Sequence, residues 1–391
     1  MSVATTRRKK TAAPSKAAEP GVDMSEAPRA LVLQGGGALG AYQAGAYAAL
    51  ADAGIEPQQI AGVSIGAINS ALIAGNAPEK RVERLREFWE LVSSQPAQRL
   101  PSWWGSRDLQ NQFSAQAVML TGIPGFFIPR TDPALLLGSS AQVLSYYDTA
   151  PLKATLERLV DFDRINAKRE SLAFMVGAVN VRSGESRYFS NADAKHPIRA
   201  EHVMASGALP PGFPPIHVDG HDYWDGGLVS NTPVREVMQR RDPYRPLVVY
   251  QVDLFNARGP MPTTMSGVME RQKDIMYASR TELNKELLAQ RETVHALVLE
   301  LLARLPANWQ EDAQVRHLRE RLHMAPVQIY HLIYKDRPTD VESKDYQFSR
   351  AAMLEHWEAG EKDMRRSLHK TAALSCAEPG VALLDNAATE A

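Results

Sequence analysis

Between residues 30 and 75 the chain runs the same course twice: a short apolar stretch, a break at a turn, then small helix-tolerant residues. Ala30-Leu31-Val32-Leu33-Gln34 breaks at Gly35-Gly36-Gly37-Ala38-Leu39-Gly40 and leads into AYQAGAYAALADAG, which closes on Gly54, a natural helix C-cap. Gln59-Ile60-Ala61-Gly62-Val63 breaks at Ser64 and leads into AINSALIAGN. Strand, helix and strand in such close succession predict a parallel βαβ unit and an α/β layered fold. Both turns then lie at the C-terminal ends of adjacent strands, where open α/β sheets form their ligand sites.

The first turn is an anion-binding corner, because free backbone N–H groups converge there and the helix dipole adds partial positive charge. Gly35, Gly37 and Gly40 also satisfy G-x-G-x-x-G, so a dinucleotide site has to be weighed. That site needs an acidic residue closing the second strand to hold a ribose. The strand closes on Ser64 instead; Asp52 and Glu56 precede it. A plain glycine turn without ligand is the remaining bland alternative.

Gly62-Val63-Ser64-Ile65-Gly66 matches G-x-S-x-G in the strand-to-helix context that a nucleophile elbow requires. Flanking glycines relieve crowding around the sharp turn, and the following helix aims its N-terminus at the serine. The Ile65 N–H can then help to hold a developing oxyanion. A donor loop beside a nucleophile is two parts of an acyl-transfer site.

The serine needs a base. None of the ten histidines sits in a sharp motif; His217 and His221, in IHVDGHDYWDGG, come nearest. The same stretch reads as a β-hairpin: residues 215–218, a turn at Asp219-Gly220, and residues 221–224. Asp225 follows the second strand, ahead of Gly226 and Gly227. A carboxylate serves as base if burial lifts its pKa within reach of the serine. Asp-Gly also commonly opens a simple turn, and the residues alone leave both readings standing.

Together these motifs resemble the patatin-like phospholipases and acyl hydrolases. Gly35 to Gly40 looks like that family's oxyanion element, Gly62 to Gly66 like its nucleophile elbow, and Asp225-Gly226-Gly227 like the signature that opens with its catalytic aspartate. Residues 205–215, and Asn231 with Pro233, fit the same pattern, so the likeness covers roughly residues 30–253. It implies a three-layer α/β/α core with a mostly parallel sheet. It further implies a Ser64–Asp225 dyad that needs neither histidine nor metal, an oxyanion hole from Gly35, Gly36, Gly37 and Ile65, and cleavage of lipid esters. Leu39 stands where many members carry Arg or Lys, which bears on substrate preference.

The rest of the chain is read from pattern. Residues 1–29, rich in Ala, Pro and charge, form a disordered basic tail in this reading, without the apolar core of a secretory signal. Residues 79–94 and the stretch opening at Pro151 read as amphipathic helices, and 171–181 and 246–254 as buried strands, with SGESRYFSN turning back from the first. Residues 95–148 carry Trp103-Trp104, Phe126-Phe127 and Tyr146-Tyr147. This insertion is expected to cap an acyl pocket, to adhere to lipid, or simply to anchor a long loop. Residues 254–370 read as a mainly helical C-terminal extension, with a strand at 327–334, and 371–391 as a loose tail. The extension resembles that of one bacterial patatin-like subgroup; a layer against the core or a dimer interface are both open to it.

Composition excludes more than it assigns. With 44 Lys+Arg against 45 Asp+Glu, the chain lacks the basic footprint of a nucleic-acid binder. One cysteine, Cys376, excludes an internal disulfide framework and fits a reducing compartment. No apolar run is long enough to span a bilayer. The expectation is a cofactor-free, metal-free cytoplasmic enzyme that meets lipid peripherally, at a membrane or a lipid granule. An acyltransferase or thioesterase using the same serine, and a catalytically weak lipid- or granule-binding protein, are the alternatives.

Overall fold

The computed structural model describes residues 22–94, 118, 120–131, 144–167, 172–322, 325–335, 344–371, 376–377 and 381–385. Among the described residues nine strands form one mixed sheet. In chain order they are β1 (Arg29–Leu33), β2 (Gln59–Val63), β3 (Ala173–Asn180), β4 (Ser186–Ser190), β5 (Ile216–Val218), β6 (His221–Asp225), β7 (Leu247–Asp253), β8 (Val327–Ile333) and β9 (Val381–Asp385). The parallel run is β9-β8-β7-β1-β2-β3. At its far side β4 and β6 pair antiparallel with β3, and β5 with β6.

Side chains alternate across this sheet, as the two-residue period of a strand demands. Leu31 and Leu33 of β1 point into the larger core, while Ala30 and Val32 point into the smaller one. The larger core is covered by α1 (Gly40–Asp52), α2 (Ile65–Ala74) and α3 (Pro78–Val92). The smaller core packs under the short helix Val234–Arg240. This is the expected three-layer arrangement, with one layer much thicker than the other.

The region after residue 254 is mainly helical, as expected, and it is built onto the core. It contains α4 (Met265–Ala303) and α5 (Arg350–Thr371), but β8 and β9 extend the central sheet itself. Moreover, α5 lies directly on α1. A side chain at Gly45 would strike the Trp357 carbonyl, and one at Gly360 would strike that of Tyr42, so both crossing positions must lack a Cβ.

The tails are also less loose than their composition suggests. Val22–Asp23 pairs antiparallel with Cys376–Ala377, and Met24 and Ala27 are buried. Val381–Asp385 pairs with β8. Short pairing segments flanked by Ala and polar residues carry no periodic signal, which is why composition alone misreads them.

Candidate active site

Ser64 links β2 to α2 with φ 55° and ψ −124°, a positive-φ conformation that costs a non-glycine residue energy. The surroundings hold it there. Its N–H donates to the carbonyl and the Oγ of Ser206, both at 3.1 Å. Ser206 Oγ in turn donates to the Gly177 carbonyl at 2.5 Å. The neighbouring glycines are required by close approach: a Cβ on Gly62 would strike the Gly66 carbonyl, and one on Gly66 that of Leu33. Strand, turn and helix are thereby pressed together so that the serine stands half-exposed at the turn.

Asp225 ends β6 rather than following it. It reaches Ser64 through the register of β3. Along one edge of that strand β2 pairs as far as Val63 with Gly177, and β6 takes over with Asp225 against Ala178. The two strands therefore meet end to end. Gly226 makes the join possible, since a Cβ there would strike the Gly177 carbonyl. The Asp225 side chain is 2% exposed, and its carboxylate accepts the Gly227 N–H at 2.7 Å. Burial pushes its pKa up to about 6, against the opposing pull of hydrogen bonds from Ser64 and Gly227.

The glycine loop faces the same spot, with one change from expectation. The Gly35 N–H is not an available donor, because it binds the Asn231 carbonyl at 3.2 Å. Asn231 Nδ2 also donates to the Gly35 carbonyl at 2.9 Å, so both sides of that residue are clasped. Among the described residues the amides of Gly36, Gly37 and Ile65 carry no such commitment, and Ile65 opens α2. Gly40 opens α1 against the Ile65 side chain. Leu39 is fully buried and faces the core.

Ser64, Asp225 and residues 35–37 share a cavity of about 300 Å³. Much of its lining is aromatic: Phe127 lies 5.1 Å from Phe213 and 4.7 Å from Tyr147, ring centre to ring centre. Phe126 and Phe127 are 8% and 4% exposed, which rules them out as an adhesion surface and makes them pocket wall. Trp103 and Trp104 lie outside the described residues.

Sequence reasoning missed the part of the lining that Tyr277, Tyr346 and Phe348 of the C-terminal region supply, with Phe348 5.9 Å from Phe126, ring centre to ring centre. Asp345 lies against Gly37 and is tied to Lys273 of α4 at 2.9 Å. Burial, then the carboxylate of Asp345, the Tyr147 phenol and the carboxylate of Asp225, push the Tyr346 phenol up to about 12.

The rival residues lie elsewhere. His217 pairs with Asp222 at 2.9 Å in an exposed position, and neither it nor His221 lines the cavity. Asp52 binds Arg365, and Glu56 binds Arg81 and Tyr47, so neither carboxylate is free for a ribose. Among the described residues no group of three or more His, Cys, Asp or Glu could hold a metal.

The pattern that defines the family described as patatin-like phospholipase matches residues 31–238, more than half of the chain. The chain belongs to the patatin-like phospholipase family. It is by class a lipid ester hydrolase. A second pattern, described as patatin phospholipase, matches residues 275–379 and so takes in β8 and α5.

Among solved structures, VipD from Legionella pneumophila is similar at 15% identity over 92% of this chain and 69% of that one, with a TM-score of 0.42. Human GIVD cytosolic phospholipase A2 is similar at 13% identity over 57% of this chain and 43% of that one, with a TM-score of 0.30. The type III effector ExoU of Pseudomonas aeruginosa is similar at 15% identity over 88% of this chain and 53% of that one, with a TM-score of 0.31. Among curated proteins none matches. No described helix is long and apolar enough to cross a membrane.

Proposed function

We propose that the protein is a serine acyl hydrolase that cleaves the acyl esters of lipids in the manner of a phospholipase A or lysophospholipase. Ser64 is its nucleophile and Asp225 its base. One observation carries the reading: the strained Ser64 hydroxyl hydrogen-bonds a buried carboxylate whose pKa is raised to about 6. Such a carboxylate is ionised at neutral pH yet basic enough to take a proton.

Ser64 Oγ attacks the acyl carbonyl as its proton passes to Asp225. The N–H groups of Gly36, Gly37 and Ile65 hold the oxyanion of the tetrahedral intermediate. Collapse expels the alcohol, which takes the proton from Asp225 and leaves an acyl-serine. Water then gives a proton to Asp225, attacks the acyl carbon and releases the fatty acid as Ser64 recovers its proton. The aromatic wall suits an alkyl chain, and Tyr146, which lines the mouth while 56% exposed, suits peripheral contact with a lipid surface. In this division of labour residues 30–253 supply the chemistry and the segment beyond 254 completes the pocket.

Labelling with a fluorophosphonate, followed by peptide mapping, tests the reading. The expected result is one modified residue, Ser64, lost in Ser64→Ala together with ester turnover. Labelling elsewhere, or a Ser64→Ala protein that keeps its rate, overturns it. Partition of the acyl group between water and added alcohols or lysolipids separates a hydrolase from a transferase with the same serine.

A further inference from the structure

Gly36 and Gly37 can stabilise an oxyanion only if the backbone that presents them stays still to a fraction of an ångström. They follow directly on Gly35, whose position is set by the Asn231 carbonyl and Nδ2. The Asn231 carbonyl belongs to the peptide unit that joins Asn231 to Thr232. Whatever fixes Thr232 therefore fixes the plane of the group that holds Gly35.

Thr232 is buried, and its Oγ1 donates to Asp253 Oδ1 at 3.2 Å. Asp253, the last residue of β7, is equally buried and takes two more donors on its other oxygen: Gln251 Nε2 at 2.9 Å and His331 Nε2 at 2.6 Å. The His331 side chain is 1% exposed and stands on β8, in the region matched by the second family pattern and away from every catalytic motif.

We propose that His331 is a positioning residue for the oxyanion loop, acting through Asp253 and the Asn231–Thr232 peptide. The inference rests on the Ser64–Asp225 reading of the site. The His331 Nε2–H, together with Gln251, orients the Asp253 carboxylate so that Oδ1 faces Thr232. Without that bond the carboxylate turns in search of a donor, Thr232 loses its bond to Asp253, and the peptide that clasps Gly35 loosens. The consequence falls on the transition state, where Gly36 and Gly37 do their work, and not on the acyl pocket.

The strand that leads into the loop has a further anchor of its own. Gln34 Oε1 accepts the N–H groups of Leu254 and Phe255, which directly follow Asp253, at 2.6 and 3.2 Å, whereas the Gln34 carbonyl accepts Gln43 Nε2 of α1 at 2.6 Å, a tie made outside the Asp253 segment. Loss of His331 therefore frees the Asn231 side of the loop while leaving the strand beneath it in place. The C-terminal segment thus acts on catalysis as well as closing the sheet.

The test compares His331→Leu with His331→Gln, whose side-chain amide can offer Asp253 an N–H in place of the imidazole. Turnover of a soluble p-nitrophenyl butyrate is measured per active site, with sites counted by fluorophosphonate titration so that misfolded protein is not scored. The expected result for His331→Leu is kcat per site lowered about tenfold or more with KM within about twofold, and complete but slower labelling of Ser64. His331→Gln recovers most of the rate. Should His331→Leu not fold, Thr232→Val removes only the hydroxyl and is expected to lower kcat in the same way. Unchanged kcat per site, a loss confined to the titratable fraction or to Tm, or a Gln variant as slow as Leu overturns the proposal. Failure of wild-type Ser64 to label overturns the Ser64–Asp225 reading and this inference with it, whereas a labelled wild type with unaffected variants overturns this inference alone.

Discussion

Asp225 sits one residue beyond Val63 along the same edge of β3, because Val63 pairs with Gly177 and Asp225 with Ala178. Two strands distant in sequence, one parallel to β3 and one antiparallel, end against each other at that point. The residue after Val63 is Ser64. A hydroxyl and a carboxylate are brought together by sheet register, which is among the stiffest devices a protein has.

Asp225→Asn is expected to lower kcat by roughly 10²–10⁴-fold, since it keeps the shape and removes the base. It is also expected to stabilise the fold at high pH. The folded state holds the Asp225 proton up to about 6, whereas the unfolded chain releases it near 3.8. The folded state thus binds more protons in that window, and stability contributed by the protonated group is lost as pH rises through it. A neutral amide escapes the loss, by an amount with a ceiling of about 3 kcal/mol. Thermal melts should show the variant above wild type at alkaline pH, with the gap closing toward the acid end of the window. A gap that widens on acidification would contradict the burial argument.

The pH–rate profile follows from the same group. With Asp225 as base, kcat/KM for a non-ionising ester should rise through a single ionisation near 6 and then level off. A profile flat across that value would move the base elsewhere.

Local motifs were legible because their chemistry is local. The glycine loop, the elbow and β1, β2, β3 and β7 lie within two residues of where apolar runs and glycine breaks put them. What resisted reading depends on partners remote in sequence. Gly35 is a poor donor only because Asn231 claims its amide, and no spacing rule announces that. Asp345, Tyr346 and Phe348 enter the pocket because α5 lies on α1 and carries the segment before it to the glycine loop. The run at 327–334 announces a strand, but not which sheet it joins.

Phe127→Ala tests the aromatic wall. Phe127 is buried against Phe126, Tyr147 and Phe213, so truncation should cost about 3–5 kcal/mol and open a void at the acyl end of the cavity. In a p-nitrophenyl ester series the optimum should move to longer chains, with Asp225-dependent pH behaviour unchanged. A uniform loss across chain lengths would place Phe127 outside the acyl path.

Contact with a lipid surface should involve the rim and not the buried phenylalanines. Leu144 and Tyr146 are 62% and 56% exposed, and Tyr146 borders the cavity that holds Ser64. Substitutions at exposed positions of this kind change stability by only about 0.5 kcal/mol, so Leu144→Glu with Tyr146→Glu should leave Tm and soluble-ester turnover near wild type. A charged pair at a surface that must part lipid headgroups carries a desolvation cost on every encounter. Activity on phosphatidylcholine vesicles should therefore fall well below wild type, and co-sedimentation with those vesicles should fall with it. Equal losses on vesicles and on the soluble ester would mean that the rim shapes the pocket, while no loss on either would place the lipid-facing surface on another side of the molecule.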